Sequence, residues 1–197
     1  FRHGADFHTE TAAKLFGVPR ELVTSDMRRS AKAVNFGIIY GISDYGLSED
    51  LGVAVWQARE YMNNYFATYP DVKRYMEDSV AFAKENGYVR TLDGRRRYIP
   101  ELKSSNYNVR SFGERVAMNM PLQGTASDII KKAMTAVAAA LEREAPGAVH
   151  DELIVDCPDR LTDKVAAILK REMESAARLE VPLVADVGYG KNWLEAK

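Results

Sequence analysis

The sequence predicts an α+β protein that is mainly helical, with a small antiparallel sheet. Three observations predict it. Residues 1–87 divide into stretches of helical period separated by Gly17, Pro19, Gly41, Gly52, Pro70 and Gly87. The period then changes to alternation over residues 88–92, followed by the hairpin dipeptide Asp93-Gly94. Helical patterns return beyond residue 108, interrupted by an apolar stretch of strand character at 149–156.

Taken in order, residues 6–16 form a helix stopped by Gly17 and Pro19. Thr24, Ser25 and Asp26 supply an N-cap for a second helix that ends near Gly41. Residues 43–46 read as a turn and 48–51 as a short helix. A helix over 54–69 carries Trp56, Tyr61, Tyr65 and Phe66 and is broken by Pro70, and another runs over 72–86. These aromatics, with Tyr69 and Tyr75, read as core packing with some amphipathic edges. Residues 97–99 return the hairpin, whose Arg95, Arg96 and Arg97 would make a basic finger or a plain solvated hairpin. Residues 104–108 are loop. Residues 109–119 and 124–144 are helical, and Pro121 either starts the second helix or bends one long one. Residues 149–156 are a strand or tight hairpin, 159–179 a long amphipathic helix, and 181–187 a closing strand broken by Pro182.

Composition bounds the function. A hydrophobic fraction of 46% with 28% charged residues is that of a globular protein. No apolar run approaches the ~18 residues of a membrane span. Phe1 is not an initiator methionine, so a start within a longer protein is expected. The single Cys157 excludes an internal disulfide and is read as packing. Residues 1–135 carry 19 Lys/Arg against 16 Asp/Glu, and residues 136–197 carry 8 against 12. Arg90, Arg95, Arg96, Arg97, Lys103, Arg110 and Arg115 lie close together in the sequence. A basic groove beside an acidic centre suits phosphate-backbone binding combined with metal chemistry; a solvated charged face is the plain alternative.

The chemistry-bearing residues follow helical spacing. Arg28, Lys32, Phe36 and Tyr40 recur every four residues. Each such step advances about 40° beyond a full turn, so the four side chains make one slowly winding stripe roughly 18 Å long. Two cations followed by two aromatic rings can hold phosphates at one end and a flat apolar ring at the other, which describes a nucleotide. Arg115, Asn119 and Gln123 repeat the spacing with groups suited to sugar and base edges, or to a polar outer face. His8, near a helix start, could donate to a phosphate or simply lie at the surface. Asp151 and Glu152 are adjacent carboxylates in an apolar stretch, where burial without cations is costly. On a strand they point to opposite faces, so Asp151 would bind Mg²⁺ and Glu152 support it. An exposed acidic hairpin tip is the alternative. No Gly-rich phosphate loop, zinc spacing or G-x-S-x-G elbow is present.

Together these strings resemble the polymerase domain of family A DNA polymerases, the bacterial DNA polymerase I type. RRSAKAVNFGIIYG at 28–41 is similar to the family's nucleotide-binding finger helix and VHDE at 149–152 to its third catalytic motif. DFHT at 6–9, TLDGRR at 91–96 and PLQGTASD at 121–128 match in the same order. The resemblance implies a right-hand fold, with residues 1–108 as fingers including a basic hairpin near 88–99. Residues 109–197 would be a C-terminal palm segment with the catalytic hairpin, the thumb and first catalytic motif lying upstream. It implies template-directed DNA synthesis in replication or repair, by nucleotidyl transfer from dNTP to a primer 3′-OH with two Mg²⁺ ions. His8, Arg28 and Lys32 would hold the triphosphate, with Lys32 the proton donor to pyrophosphate. Phe36 would lie against sugar and base, and Tyr40 at the template with Gly41 giving room. Arg115, Asn119 and Gln123 would track the minor groove, His150 would lie near the primer end, and Asp151 with Glu152 would bind metal.

Primer-template DNA and dNTP are the expected partners, with no membrane, a monomeric state and a location in the bacterial cytoplasm at the nucleoid. The resemblance also implies a metal-binding aspartate upstream of Phe1, so the chain is expected to be inactive alone. The segment at 145–148 is short by about five residues, roughly one ordinary strand. Two other readings stay open: a non-catalytic nucleic-acid-binding remnant, and a single-subunit family A RNA polymerase.

Overall fold

The computed structural model describes residues 6–145, 149–151, 153–192 and 194–196, with only the backbone of 149–151. The chain divides into two compact units, with the boundary between Thr125 and Ala126.

The first unit opens with α1 (Phe7–Phe16) and α2 (Ser25–Ile39). Asp6 caps α1 by accepting the His8 and Thr9 amides at 3.0 and 3.4 Å, and Thr24 caps α2 through the Met27 amide at 3.2 Å. Helix α3 (Asp44–Leu51) begins earlier than expected. Ser43 accepts the Gly46 amide at 3.1 Å, so the residues read as a turn are a capped first helical turn. Helix α4 (Val55–Thr68) is followed directly by α5 (Pro70–Asn86). Pro70 does not merely break α4; it occupies the first position of α5, where its missing N–H has no helical partner to lose.

Leu15, Val34, Ile38, Leu47, Ala58 and Tyr65 form the core of these helices. The burial of Ala31, Val34, Asn35 and Ile38 leaves the Arg28–Lys32–Phe36–Tyr40 side of α2 exposed. Of the aromatic set, Tyr65 is buried in the core, whereas Trp56 lies at an edge, 66% exposed near the start of α4. Burial pushes the Tyr65 phenol up to about 12, and its hydroxyl has no hydrogen-bond partner among the described residues. An unmet buried hydroxyl offsets stability, so Tyr65→Phe is expected to leave the unfolding free energy unchanged or raise it by about 1 kcal/mol. Denaturant unfolding checks this, and a clear loss would mean that the hydroxyl is satisfied in solution.

Strands β1 (Tyr88–Arg90) and β2 (Arg96–Tyr98) pair antiparallel, with Val89 opposite Arg97. The connecting loop is docked on helix α6 (Tyr107–Glu144). Leu92 donates its amide to Thr125 Oγ1 at 3.0 Å, and Arg95 donates to the Gly124 carbonyl at 3.0 Å. Arg96 lies over the Tyr88 ring at 4.7 Å and Arg90 over Phe82 at 5.8 Å. The hairpin is thus tied down by part of the basic cluster. Helix α6 starts at Tyr107, inside the expected loop, because Asn106 accepts the Asn108 amide at 2.9 Å. It is one helix that contains Pro121. Proline removes one helical hydrogen bond and crowds the preceding turn. The Tyr75 hydroxyl donates to the Met118 carbonyl in that turn at 3.0 Å, supplying a donor where the ladder is weakened.

In the second unit the stretch at 149–156 is a hairpin, β3 (Val149–Asp151) paired with β4 (Ile154–Asp156). Helix α7 (Thr162–Ser175) is shorter at both ends than expected. A 3-10 turn, Asp159–Leu161, precedes it, and the amphipathic pattern beyond Ser175 continues outside the helix. Val165, Ile168 and Leu169 of α7 pack with Val137, Ala140 and Leu141 of α6. The expected closing strand over 181–187 is absent among the described residues. That segment keeps a strand-like alternation, with Ala185 buried between exposed Val184 and Asp186, but a strand also needs a ladder partner. Among the described residues each of the two sheets has two strands.

No helix among the described residues is long and apolar enough to cross a membrane.

Candidate functional site

The stripe read from the sequence lies on the exposed side of α2. Arg28 and Lys32 occupy its N-terminal half, Phe36 and Tyr40 its C-terminal end at 43% and 42% exposure. The rings of Phe36 and Tyr40 lie 6.1 Å apart with planes 32° from parallel. From α1, the His8 ring joins the row 5.7 Å from Phe36. A cationic end, an imidazole and two rings therefore share one surface, although His8 is distant from the others in sequence.

The cationic end is ordered by residues that the spacing alone did not single out. Arg28 donates from Nε to Asp6 Oδ2 at 2.7 Å, leaving its terminal nitrogens for an anion. Asp6 also accepts from the Thr9 hydroxyl at 2.8 Å. The Arg28 guanidinium, then the Thr9 hydroxyl, hold the Asp6 carboxyl well below the usual carboxylate range, and Asp6 raises Arg28 in turn. Lys32 has no ion-pair or hydrogen-bond partner among the described residues. Among the described residues it is the free cation of the stripe. Burial, then the charge of Arg28, push the His8 imidazole below its ordinary value, with Lys32 adding to this and Asp6 opposing it. His8 Nδ1 lies 3.0 Å from the buried Asn35 amide nitrogen.

Because the Asp6 pKa is depressed in the fold, its stabilisation is complete above the ordinary carboxylate value. It is lost progressively as pH falls below about 4 towards the folded value. Amide exchange protection of α1 should therefore fall with acid below that point. Asp6→Asn should remove this acid step, as hydrogen exchange across a pH series would reveal; an unchanged step would assign it to another carboxylate.

The second trio lies on α6. Arg115 is exposed and donates to Ser111 Oγ at 3.0 Å, Gln123 is exposed, and Asn119 is half-buried with its Oδ1 unpartnered among the described residues. Gly41 joins this helix to the end of α2. Its φ of 74° lies in the left-handed region, and a Cβ there would come within 2.6 Å of Met118 Cε and 3.0 Å of Arg115 Cγ. The end of the stripe is thus seated against the first member of the trio.

The metal candidates belong to the second unit. His150 and Asp151 are in β3, and their side chains, like all of Glu152, lie outside the described residues. Among the described residues there is no group of three or more His, Cys, Asp or Glu able to hold a metal ion.

Sequence reasoning missed Asp6 as the partner of Arg28 and Asn35 as the partner of His8. One signal was available: Asn35 lies among Ala31, Val34 and Ile38 on the apolar side of α2, where an amide is out of place.

A cation-to-aromatic helix face with a second polar helix at its end offers charges and flat rings together on one surface. Comparison with known proteins makes the class specific. The model of DNA polymerase family A matches residues 1–195. DNA polymerase I of Geobacillus stearothermophilus is 50% identical over 202 aligned positions, covering 100% of this chain and 23% of that protein. DNA polymerase I of Bacillus subtilis (strain 168) is 51% identical with the same coverage. The solved POL domain of Pol1 from M. smegmatis, in complex with DNA primer-template and dNTP, superposes with a TM-score of 0.93 at 40% identity. That match covers 99% of this chain and 35% of the other. The chain belongs to DNA polymerase family A. It spans about a quarter of the length of these curated relatives. The alignments run over 202 positions against its 197 residues, so the relatives carry residues within the matched span that it lacks.

Proposed function

We propose that this chain is the fingers and C-terminal palm portion of a template-directed DNA polymerase, extending a primer 3′-OH with dNTPs in replication or repair. The observation that carries the reading is the shared surface of His8, Arg28, Lys32, Phe36 and Tyr40 on α1 and α2. His8, Arg28 and Lys32 bind the triphosphate, where fixed donors and charge stabilise the negative oxygens. The primer 3′-OH loses its proton to solvent and its oxygen bonds to the α-phosphorus as the bond to the bridging oxygen breaks, and Lys32 gives its proton to the departing pyrophosphate and regains one from solvent. Phe36 lies against the sugar and base, and Tyr40 stacks at the templating position. Arg115, Asn119 and Gln123 follow the minor groove, where every base pair presents similar acceptors, so geometry is checked without reading sequence. Closing of α2 over a correct pair supplies the specificity step.

Asp151, with Glu152 beside it, would hold Mg²⁺ together with substrate phosphates; a single carboxylate pair suits this ion, which keeps waters and phosphates as its other ligands. Two such ions, when bound, supply the charge that lowers the pKa of the primer hydroxyl and stabilises pyrophosphate. His150 is assigned to the primer end. Residues 1–108 are assigned to the fingers and 109–197 to the palm, in a monomer acting on DNA in the bacterial cytoplasm.

Primer extension by the polymerase domain containing this segment tests the reading. Mg²⁺-dependent extension that Asp151→Asn abolishes, with primer-template binding retained, is the expected outcome. Binding of DNA with no extension would support the non-catalytic remnant instead.

A further inference from the structure

We propose that Asn35 is a positioning residue that holds His8 in its Nε2–H tautomer, so that His8 presents a hydrogen-bond donor rather than a lone pair to the triphosphate. The inference rests on the proposed placement of His8 at that triphosphate.

The geometry leaves little freedom. Asn35 Nδ2 lies 3.0 Å from His8 Nδ1, and an amide nitrogen only donates, so Nδ1 accepts. The proton of the neutral ring is then on Nε2. Asn35 is 2% exposed and belongs to the apolar side of α2, so the surrounding core restricts its rotamer. Its Oδ1 is buried without a hydrogen-bond partner among the described residues. An apolar side chain of similar volume would avoid that penalty, and the bond to His8 is the one the amide makes in return. Turning the amide over would leave two N–H donors unmet in place of one carbonyl and one N–H. It would also aim the Nε2 lone pair at an incoming anion.

The groups facing His8 complete the logic. Asp6 faces it from the α1 cap, Arg28 and Lys32 from α2, and Phe7 and Phe36 flank its ring. A second proton would have to go on Nδ1, against the Asn35 N–H. Arg28 and Lys32 oppose it as well. Positive charge at the site is therefore left to Arg28 and Lys32, and His8 contributes a directional donor.

Ring-nitrogen NMR on the 197-residue chain tests this, since only three histidines are present. At pH 7.5 the wild-type His8 ring should show a protonated Nε2 and a bare, hydrogen-bonded Nδ1, and inorganic tripolyphosphate should shift Nε2. This measurement needs no variant. Asn35→Leu should remove the tautomer preference and weaken tripolyphosphate binding by roughly fivefold, the loss expected for one hydrogen bond. The near-isosteric Asn35→Asp should move a proton onto Nδ1 and raise the pH at which the ring gains charge. A wild-type ring protonated at Nδ1, or a tautomer unchanged in both variants, would overturn the role of Asn35. A fixed Nε2–H tautomer that tripolyphosphate leaves unmoved would instead overturn the placement of His8 at the triphosphate, and the donor role with it.

Discussion

Replacing Lys32 by alanine is expected to lower the single-turnover rate of nucleotide addition by about two to four orders of magnitude, the usual contribution of a positioned general acid. Lys32 carries this prediction because of its surroundings. Arg28 shares its charge with Asp6 through a 2.7 Å bond, whereas Lys32 has no partner among the described residues. A free ammonium can neutralise an arriving phosphate fully and has a proton to give. Lys32→Arg should keep dNTP binding within a few-fold while the rate remains low, because a guanidinium does not give up its proton. The comparison separates charge from proton transfer. If alanine raised KM alone and left kcat intact, Lys32 would be a binding group only. The measurement belongs in the polymerase domain that contains this segment.

Gly41→Ala is the second large effect, and its cause is steric. A non-glycine residue in the left-handed region costs about 1–3 kcal/mol. The added Cβ would also meet Met118 Cε at 2.6 Å and Arg115 Cγ at 3.0 Å. Met118 can yield, being flexible, but Arg115 moves with it. We expect a loss of about 2–4 kcal/mol in unfolding free energy from strain and crowding together. We also expect weakened primer-template binding, because Arg115 is displaced from the proposed groove. Denaturant unfolding and DNA titration read the two effects separately. Met118→Ala in the Gly41→Ala background should recover part of the stability by opening space, though not the backbone strain. Failure of that rescue would locate the whole cost in the left-handed conformation.

What could be seen in the sequence was what helical period controls. Arg28, Lys32, Phe36 and Tyr40 were legible as one face because local geometry alone puts them there, and burial of Val34 and Ile38 opposite fixes which face is outside. The helix starts at Thr24 and the hairpin at Asp93-Gly94 were legible for the same local reason. The pairs Asp6–Arg28 and Asn35–His8 were not, because their partners meet only when α1 packs on α2. Pro121 was ambiguous since proline suits both a helix start and a bend. The Tyr75 hydroxyl at the Met118 carbonyl, a contact from another helix, belongs to the continuous form. The segment 181–187 alternates like a strand, but alternation records burial and not pairing, and no partner strand lies beside it among the described residues. Arg95 looked like a finger tip because charge is read as exposure; its bond to Gly124 makes it a tether.

On the proposed reading the α1–α2 surface receives a nucleoside triphosphate with its phosphates at Arg28 and its ring at Phe36. Backbone and side-chain NMR shifts of the chain, titrated with a dNTP and then with inorganic tripolyphosphate, test it most directly. The dNTP is expected to move the signals of His8, Arg28, Lys32, Phe36 and Tyr40 together. Tripolyphosphate should move the first three and leave the two aromatic rings in place. A folded chain in which the dNTP shifts cluster elsewhere, or in which both ligands perturb Phe36 and Tyr40 alike, would contradict it.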